Sequence, residues 1–194
     1  MSRHYLGPWR VDVECRDGVA RLVPATVLAR AVVAALDAAG APAPASIGLV
    51  LSDDAELAEL NAVHMGKDGP TDVLSFPLLP PDAFPDHPGK AAGAAPATPG
   101  GPAGRAGPTG PTGAEPFVLP PGTRQHLGDI IVSVERATDQ AAAGRGGQTS
   151  DVRWDARDEL RLLVTHGTLH VCGWDHAEPV EEAAMRDTER RLLA

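Results

Sequence analysis

The run His166-Gly167-Thr168-Leu169-His170-Val171-Cys172-Gly173-Trp174-Asp175-His176 decides how this chain is organised. Upstream, from about Asp151 to Val171, the pattern is that of a long helix. His166 and His170 stand four apart, so both imidazoles project from one helix face, one turn above the other. Gly173 can take a positive φ, stop the helix and turn the chain back, which brings His176 toward the other two. Three neutral ring nitrogens leave a fourth position for water, the arrangement of a catalytic rather than a structural zinc site. A lone histidine is ordinarily a surface or hydrogen-bonded core residue. Three of the chain's seven histidines in one short run, at helix spacing and around a glycine, point instead to a metal centre. The residue after the first histidine is Gly167, so the glutamate base of an HExxH peptidase is missing.

Working outward, the flanking segments alternate between strand and helix periods. Trp9 to Cys15 sets Trp9, Val11 and Val13 against Arg10, Asp12 and Glu14, the period of a half-buried strand. Pro24 opens a helix whose stripe holds Val27, Leu28, Ala31, Val32, Ala35 and Leu36, with Gly40 as its stop. Ser46 to Leu51 is a second strand. Asp53 with Glu56 forms a capping pair for a helix through Leu57, Leu60 and Val63. Thr71 to Leu78 and Leu127 to Val134 are the third and fourth strands. A last helix runs from about Pro179 to Leu193, with Glu182 and Arg186 one turn apart as a supporting ion pair. The predicted fold is α+β: one mixed four-stranded sheet packed with helices, with the metal site at the end of the long helix.

The chain has 194 residues, including 19 Pro and 21 Gly, and the breakers are unevenly spread. Between Pro80 and Gly122, 43 residues hold 12 Pro and 9 Gly. Such a segment buries too little apolar surface to offset its ordering entropy, so it is expected to be a disordered insertion in a single domain spanning 1–194. No stretch reaches the apolar length of a membrane helix. The N-terminus has no apolar signal core, so a cytoplasmic protein is expected. Net charge is -9. Any nucleic-acid role must therefore rest on a local patch. Cys15 and Cys172 form no metal spacing and read as reduced thiols.

Three segments carry a resemblance. The His166–His176 run looks like the signature HGxLHLxGYDH of the YbeY family of bacterial metal-dependent endoribonucleases, with Val171 for Leu and Trp174 for Tyr. Asn61 to Pro77 is similar to NxxYRGKDxPTDVLSFP, and Leu127 to Ser133 to the LGDIxIS strand. The resemblance implies one Zn²⁺ per chain held by His166, His170 and His176. It also implies single-strand-specific RNA cleavage, a role at the 3′ end of small-subunit (16S) rRNA, and ribosome quality control. The implied partners are single-stranded RNA and the small ribosomal subunit or its assembly factors, with neither membrane nor DNA. Met65 stands where many relatives place Arg and offers a phosphate neither charge nor donor. Lys67 matches the pattern and becomes the candidate for the scissile phosphate, with Arg124 or Arg136 as further cations. Asp175 is the carboxylate closest in sequence to the ligands, for proton transfer or for orienting a histidine ring. Asp72 and Ser75 fit a structural role at the start of a strand. Two other functions fit part of this pattern: a ribosome-assembly module whose metal is structural, closed by a fourth ligand such as Cys172, and a metal-dependent hydrolase of another substrate.

Overall fold

In the computed structural model, which describes residues 1–88, 123–144 and 154–194, the half-buried alternation at Trp9 runs through a larger sheet. The strands are β1 (Ser2–Leu6), β2 (Trp9–Cys15), β3 (Ala45–Ser52), β4 (Val73–Pro77) and β5 (Gln125–Ser133). The helices are α1 (Ala25–Ala38), α2 (Asp54–Met65), α3 (Val134–Ala142), α4 (Ala156–Val171) and α5 (Pro179–Leu193). The sheet order is β1-β2-β3-β5-β4. The inner pairs β2/β3 and β3/β5 are parallel, and the edge pairs β1/β2 and β4/β5 antiparallel.

The sheet thus has five strands rather than four. The added one, Ser2–Leu6, is an edge strand with no residue fully buried. Only Leu6 of this strand packs against the core, so the sequence shows no apolar alternation there. Its pairing Leu6↔Trp9 leaves Gly7-Pro8 as the connection, with Gly7 at φ +59°, and that turn is the signal that marks the hairpin. Helix α3 is a second addition. Ser133 both ends β5 and caps the helix, its hydroxyl accepting from the Arg136 N–H at 3.1 Å. No turn separates the two elements, which is why the sequence reads on as strand.

The other elements follow their local chemistry. Asp53 accepts from the Glu56 N–H at 2.9 Å, and Gly66 at φ +63° closes α2. Such a cap contributes about 1 kcal/mol. Val11, Val13, Ile47, Leu49, Ile130 and Val132 from the sheet pack with Leu28, Val32 and Leu36 of α1 and Leu160, Val164 and Leu169 of α4 in one apolar core. Val73 and Ser75 of β4 lie against Gly167 of α4. Side chains alternate along a strand, so Leu74 and Phe76 face the other side, where Phe76 meets the His64 ring of α2 at 5.0 Å. Helices α4 and α2 therefore cover opposite faces of the sheet.

The expected disordered segment is corrected at its start. Pro81–Ala83 form a 3-10 turn, and Phe84, 3% exposed, belongs to the core. His87 stacks flat on Trp174, ring centroids 4.1 Å apart. A single aromatic outweighs the breakers around it because its buried area is large. The remainder of that expectation, residues 89–122, lies outside the described residues. Phe84→Ala is expected to cost about 3–5 kcal/mol of stability. Replacing only residues 89–122 by a short Gly/Ser linker is expected to cost under about 1 kcal/mol, the scale of a change in loop closure. Denaturant unfolding of both variants measures the contrast.

Candidate metal centre

Helix α4 begins at Asp155, whose carboxylate accepts from the Arg157 and Asp158 N–H groups in a capping box. From there the helix lies unusually close to the sheet. A Cβ at position 167 would stand 2.7 Å from Ile130 Cγ2 and 2.9 Å from Val73 Cγ2, so no side chain fits. The Gly167 carbonyl also accepts the Ser75 hydroxyl at 2.9 Å. A glutamate base at this position is thus excluded by space as well as by sequence. Fixing Gly167 against the strands sets the rotation of α4, and with it the direction of His166 and His170.

The helix ends as its sequence requires. Gly173 takes φ +81°, and the Trp174 N–H returns to the Leu169 carbonyl at 3.1 Å. The Trp174 carbonyl in turn lies 2.8 Å from His170 Nδ1. A carbonyl only accepts, so Nδ1 carries the proton and Nε2 is the free lone pair. His166 Nδ1 lies 2.7 Å from Glu189 Oε1 on α5. The two Nε2 atoms then face one another at 3.0 Å. Two lone pairs at that distance repel unless something positive lies between them. The His176 ring completes the group, its centroid 5.4 Å from His166 and 5.0 Å from His170. The three ligand nitrogens all lie within 4.8 Å of one another, and His176 is exposed. Three imidazole nitrogens with one open side suit a borderline-soft divalent ion such as zinc.

The surroundings favour a neutral His170 ring and an ionised Asp72. Burial, with His166 and His176 close by, pushes the His170 imidazole down to about 4. Burial raises Asp72, but hydrogen bonds from Gln140 at 3.0 Å, from Thr71 and from the Val73 N–H outweigh it and hold Asp72 below the ordinary carboxylate value. A cavity of about 380 Å³ opens beside the cluster, lined in part by Asp72, Gln140, His166, His176, Arg186 and Glu189.

The residues singled out by sequence fall in different places. His166, His170 and His176 come together. Asp175 accepts from the backbone N–H of His176 at 2.8 Å, and the carboxylate on a ligand ring is Glu189. Lys67 is exposed in the turn after α2, where Asn61 Nδ2 donates to the Gly69 carbonyl at 2.8 Å. Met65 is half exposed at the end of α2. Neither lines the cavity, whereas Arg186, paired with Glu182, does. Arg124 lies over the Tyr5 ring on β1 and donates to the Pro8 carbonyl at 3.4 Å, and Arg136 pairs with Asp54 at 3.0 Å. Cys172 is fully buried in the apolar core, where burial pushes its thiol up to about 12, so it is a packed thiol and not a fourth ligand. Glu189 and Arg186 sit on α5 at no fixed spacing from the histidine run, so no local pattern reveals them.

A family model described as "Endoribonuclease YbeY" matches residues 20–194. "Endoribonuclease YbeY" of Salinispora tropica is 40% identical over 82% of this chain and 80% of its own length. The protein of the same description from Roseiflexus castenholzii is 33% identical over 94% of this chain and 90% of its own. A solution structure of a Thermotoga maritima protein covers 94% of this chain and 86% of its own at 18% identity and a TM-score of 0.47.

Two outcomes follow from this geometry. His166→Ala, His170→Ala and His176→Ala should each strip most of the bound divalent metal, measured by elemental analysis, because two nitrogens hold an ion far more weakly than three. The metal-free protein should also lose stability as pH falls. His170 is depressed to about 4 in the folded chain, so between its unfolded value of about 6.5 and 4 the unfolded chain binds the extra proton. Stability contributed by neutral His170 is full above that window and lost on descending through it. In urea titrations across the window, His170→Gln should flatten the slope by up to about 1.4 kcal/mol per pH unit, the value of one proton.

Proposed function

This chain belongs to the YbeY endoribonuclease family, and from that footing we propose that it is a zinc-dependent, single-strand-specific endoribonuclease. Its proposed task is maturation of the 3′ end of small-subunit (16S) rRNA and ribosome quality control in the cytoplasm. The small ribosomal subunit or its assembly factors are the proposed partners. The observation that carries the chemistry is the convergence of three ring nitrogens within 4.8 Å beside an open cavity. Among the described residues no helix is long and apolar enough to cross a membrane.

His166, His170 and His176 would hold one zinc ion, which when bound lowers the pKa of a coordinated water towards about 7 and polarises a phosphoryl oxygen. His170, held neutral down to about pH 4, needs to release no proton to ligate at neutral pH. Asp72 stays ionised on the cavity wall, which disfavours a phosphate deep inside. The backbone of an RNA strand therefore approaches from the exposed His176 side. Charge on the phosphoryl oxygens is assigned to Lys67, whose turn is pinned by Asn61, with Arg186 as the cation already in the cavity wall. Asp175 is assigned the proton transfer, its Oδ1 steadied by the His176 N–H.

The test is single-turnover cleavage of a single-stranded RNA at fixed salt, beside the same sequence as a duplex. Wild type should cut the single strand in a metal-dependent way and leave the duplex, and His170→Ala should abolish cutting. Lys67→Met should slow cleavage by roughly 10- to 150-fold, the range for a charge-assisted phosphate contact made in the transition state. Lys67→Arg should recover part of that loss. Wild-type rates for Lys67→Met together with a large loss for Arg186→Met would move the contact to the cavity arginine.

A further inference from the structure

A histidine that ligates through Nε2 must carry its proton on Nδ1, and something must hold it there. For His170 the fold supplies the acceptor locally, as the Trp174 carbonyl 2.8 Å away in the turn that ends α4. His166 lies a full turn earlier, inside the helix, where backbone carbonyls are committed to the helical ladder. Its Nδ1 acceptor comes instead from 23 residues further on, as Glu189 Oε1 at 2.7 Å.

Glu189 is built into this place. Its side chain is only 4% exposed, against 25% for His166. Met185, one turn before it on α5, is 1% exposed and part of the core, so the carboxylate rides on an anchored helix face. Burying a carboxylate is costly unless a hydrogen-bonded partner gains positive charge. An imidazole that donates from Nδ1 while a cation sits on Nε2 is such a partner.

We propose that Glu189 is a positioning residue that holds His166 as the Nδ1–H tautomer and presents its Nε2 to the space shared with His170 and His176. This rests on the metal-centre reading above and extends it from α4 to α5, making the C-terminal helix part of the site. A merely structural ion pair between α5 and α4 would affect stability without governing which ring nitrogen carries the proton.

The experiment combines two readouts on the full chain. The first is ¹⁵N NMR of the metal-free protein at a pH where the ring is neutral, reporting the His166 tautomer. The second is zinc affinity by competition with a chromophoric chelator. Wild type should show the Nδ1–H form. Glu189→Ala should populate the Nε2–H form and weaken zinc binding by about 10- to 100-fold, the usual effect of removing such a partner. Glu189→Gln keeps an accepting oxygen without charge, so it should keep the tautomer and weaken zinc binding by a smaller factor. Glu182→Gln, on the same helix, should leave the tautomer as in wild type. An unchanged tautomer in Glu189→Ala with affinity within about twofold of wild type overturns the proposal. If Glu189→Ala fails to fold by circular dichroism, wild-type affinity in folded Glu189→Gln overturns it instead. If wild type itself binds no zinc, the metal-centre reading falls, and the tautomer measurement alone decides the role of Glu189.

Discussion

The contact between Gly167 and strands β4 and β5 is the constraint on which the site depends. A helix can rest this close to a sheet only where it has no Cβ, and the Ser75 hydroxyl on the Gly167 carbonyl locks the approach. Once the rotation of α4 is set, residues one position before and three after Gly167 must point away from the strands, into the space between α4 and α5. The same packing that completes the core therefore aims two imidazoles. Structure and chemistry share one residue here. The cost of any side chain at 167 would fall on both.

The far end of the site is held by a second set of small devices. Gly173 turns the chain, Trp174 gives its carbonyl to His170, and its indole is covered by His87 from the segment after β4. A Cβ at Gly173 would stand 3.4 Å from Pro81, so that segment also lines the turn. The turn that holds His170 is thus packed against a segment far away in sequence. Burial, with His166 and His176 close by, keeps the His170 ring neutral.

What was legible in the sequence was what is encoded at short range. The pair His166/His170 is a helical repeat, Asp53 with Glu56 a cap, and Gly173 a stop, and each is written within a few residues. Fold class and the three-histidine cluster follow from such signals. What was not legible depends on partners distant along the chain or on a lack of burial. Edge strand β1 gives the core only Leu6, half-buried, and so shows no apolar alternation. Phe84 is one apolar residue among prolines, and its core position depends on the cavity that the rest of the fold leaves for it. Glu189 meets His166 only because α5 folds back along α4. Asp175, the carboxylate closest to the ligands in sequence, accepts from the backbone of the turn.

The antiparallel pairing of β4 with β5 has a consequence of its own. Pro77 pairs with Gly128, so the two strands form a hairpin whose connection runs through some 50 residues of sequence. A short turn would dictate register, but a connection of this length cannot. Register must be written into the strands themselves. Gly128, at φ +149°, is where the Phe76 carbonyl comes too near for any side chain, and one step of slippage would put Asp129 there instead. The ladder is thereby insulated from the length of what joins it. Closure entropy grows only with the logarithm of that length. Within this connection, beyond the Pro81–His87 stretch that packs on the turn after α4, sequence can be gained or lost without the strand register changing.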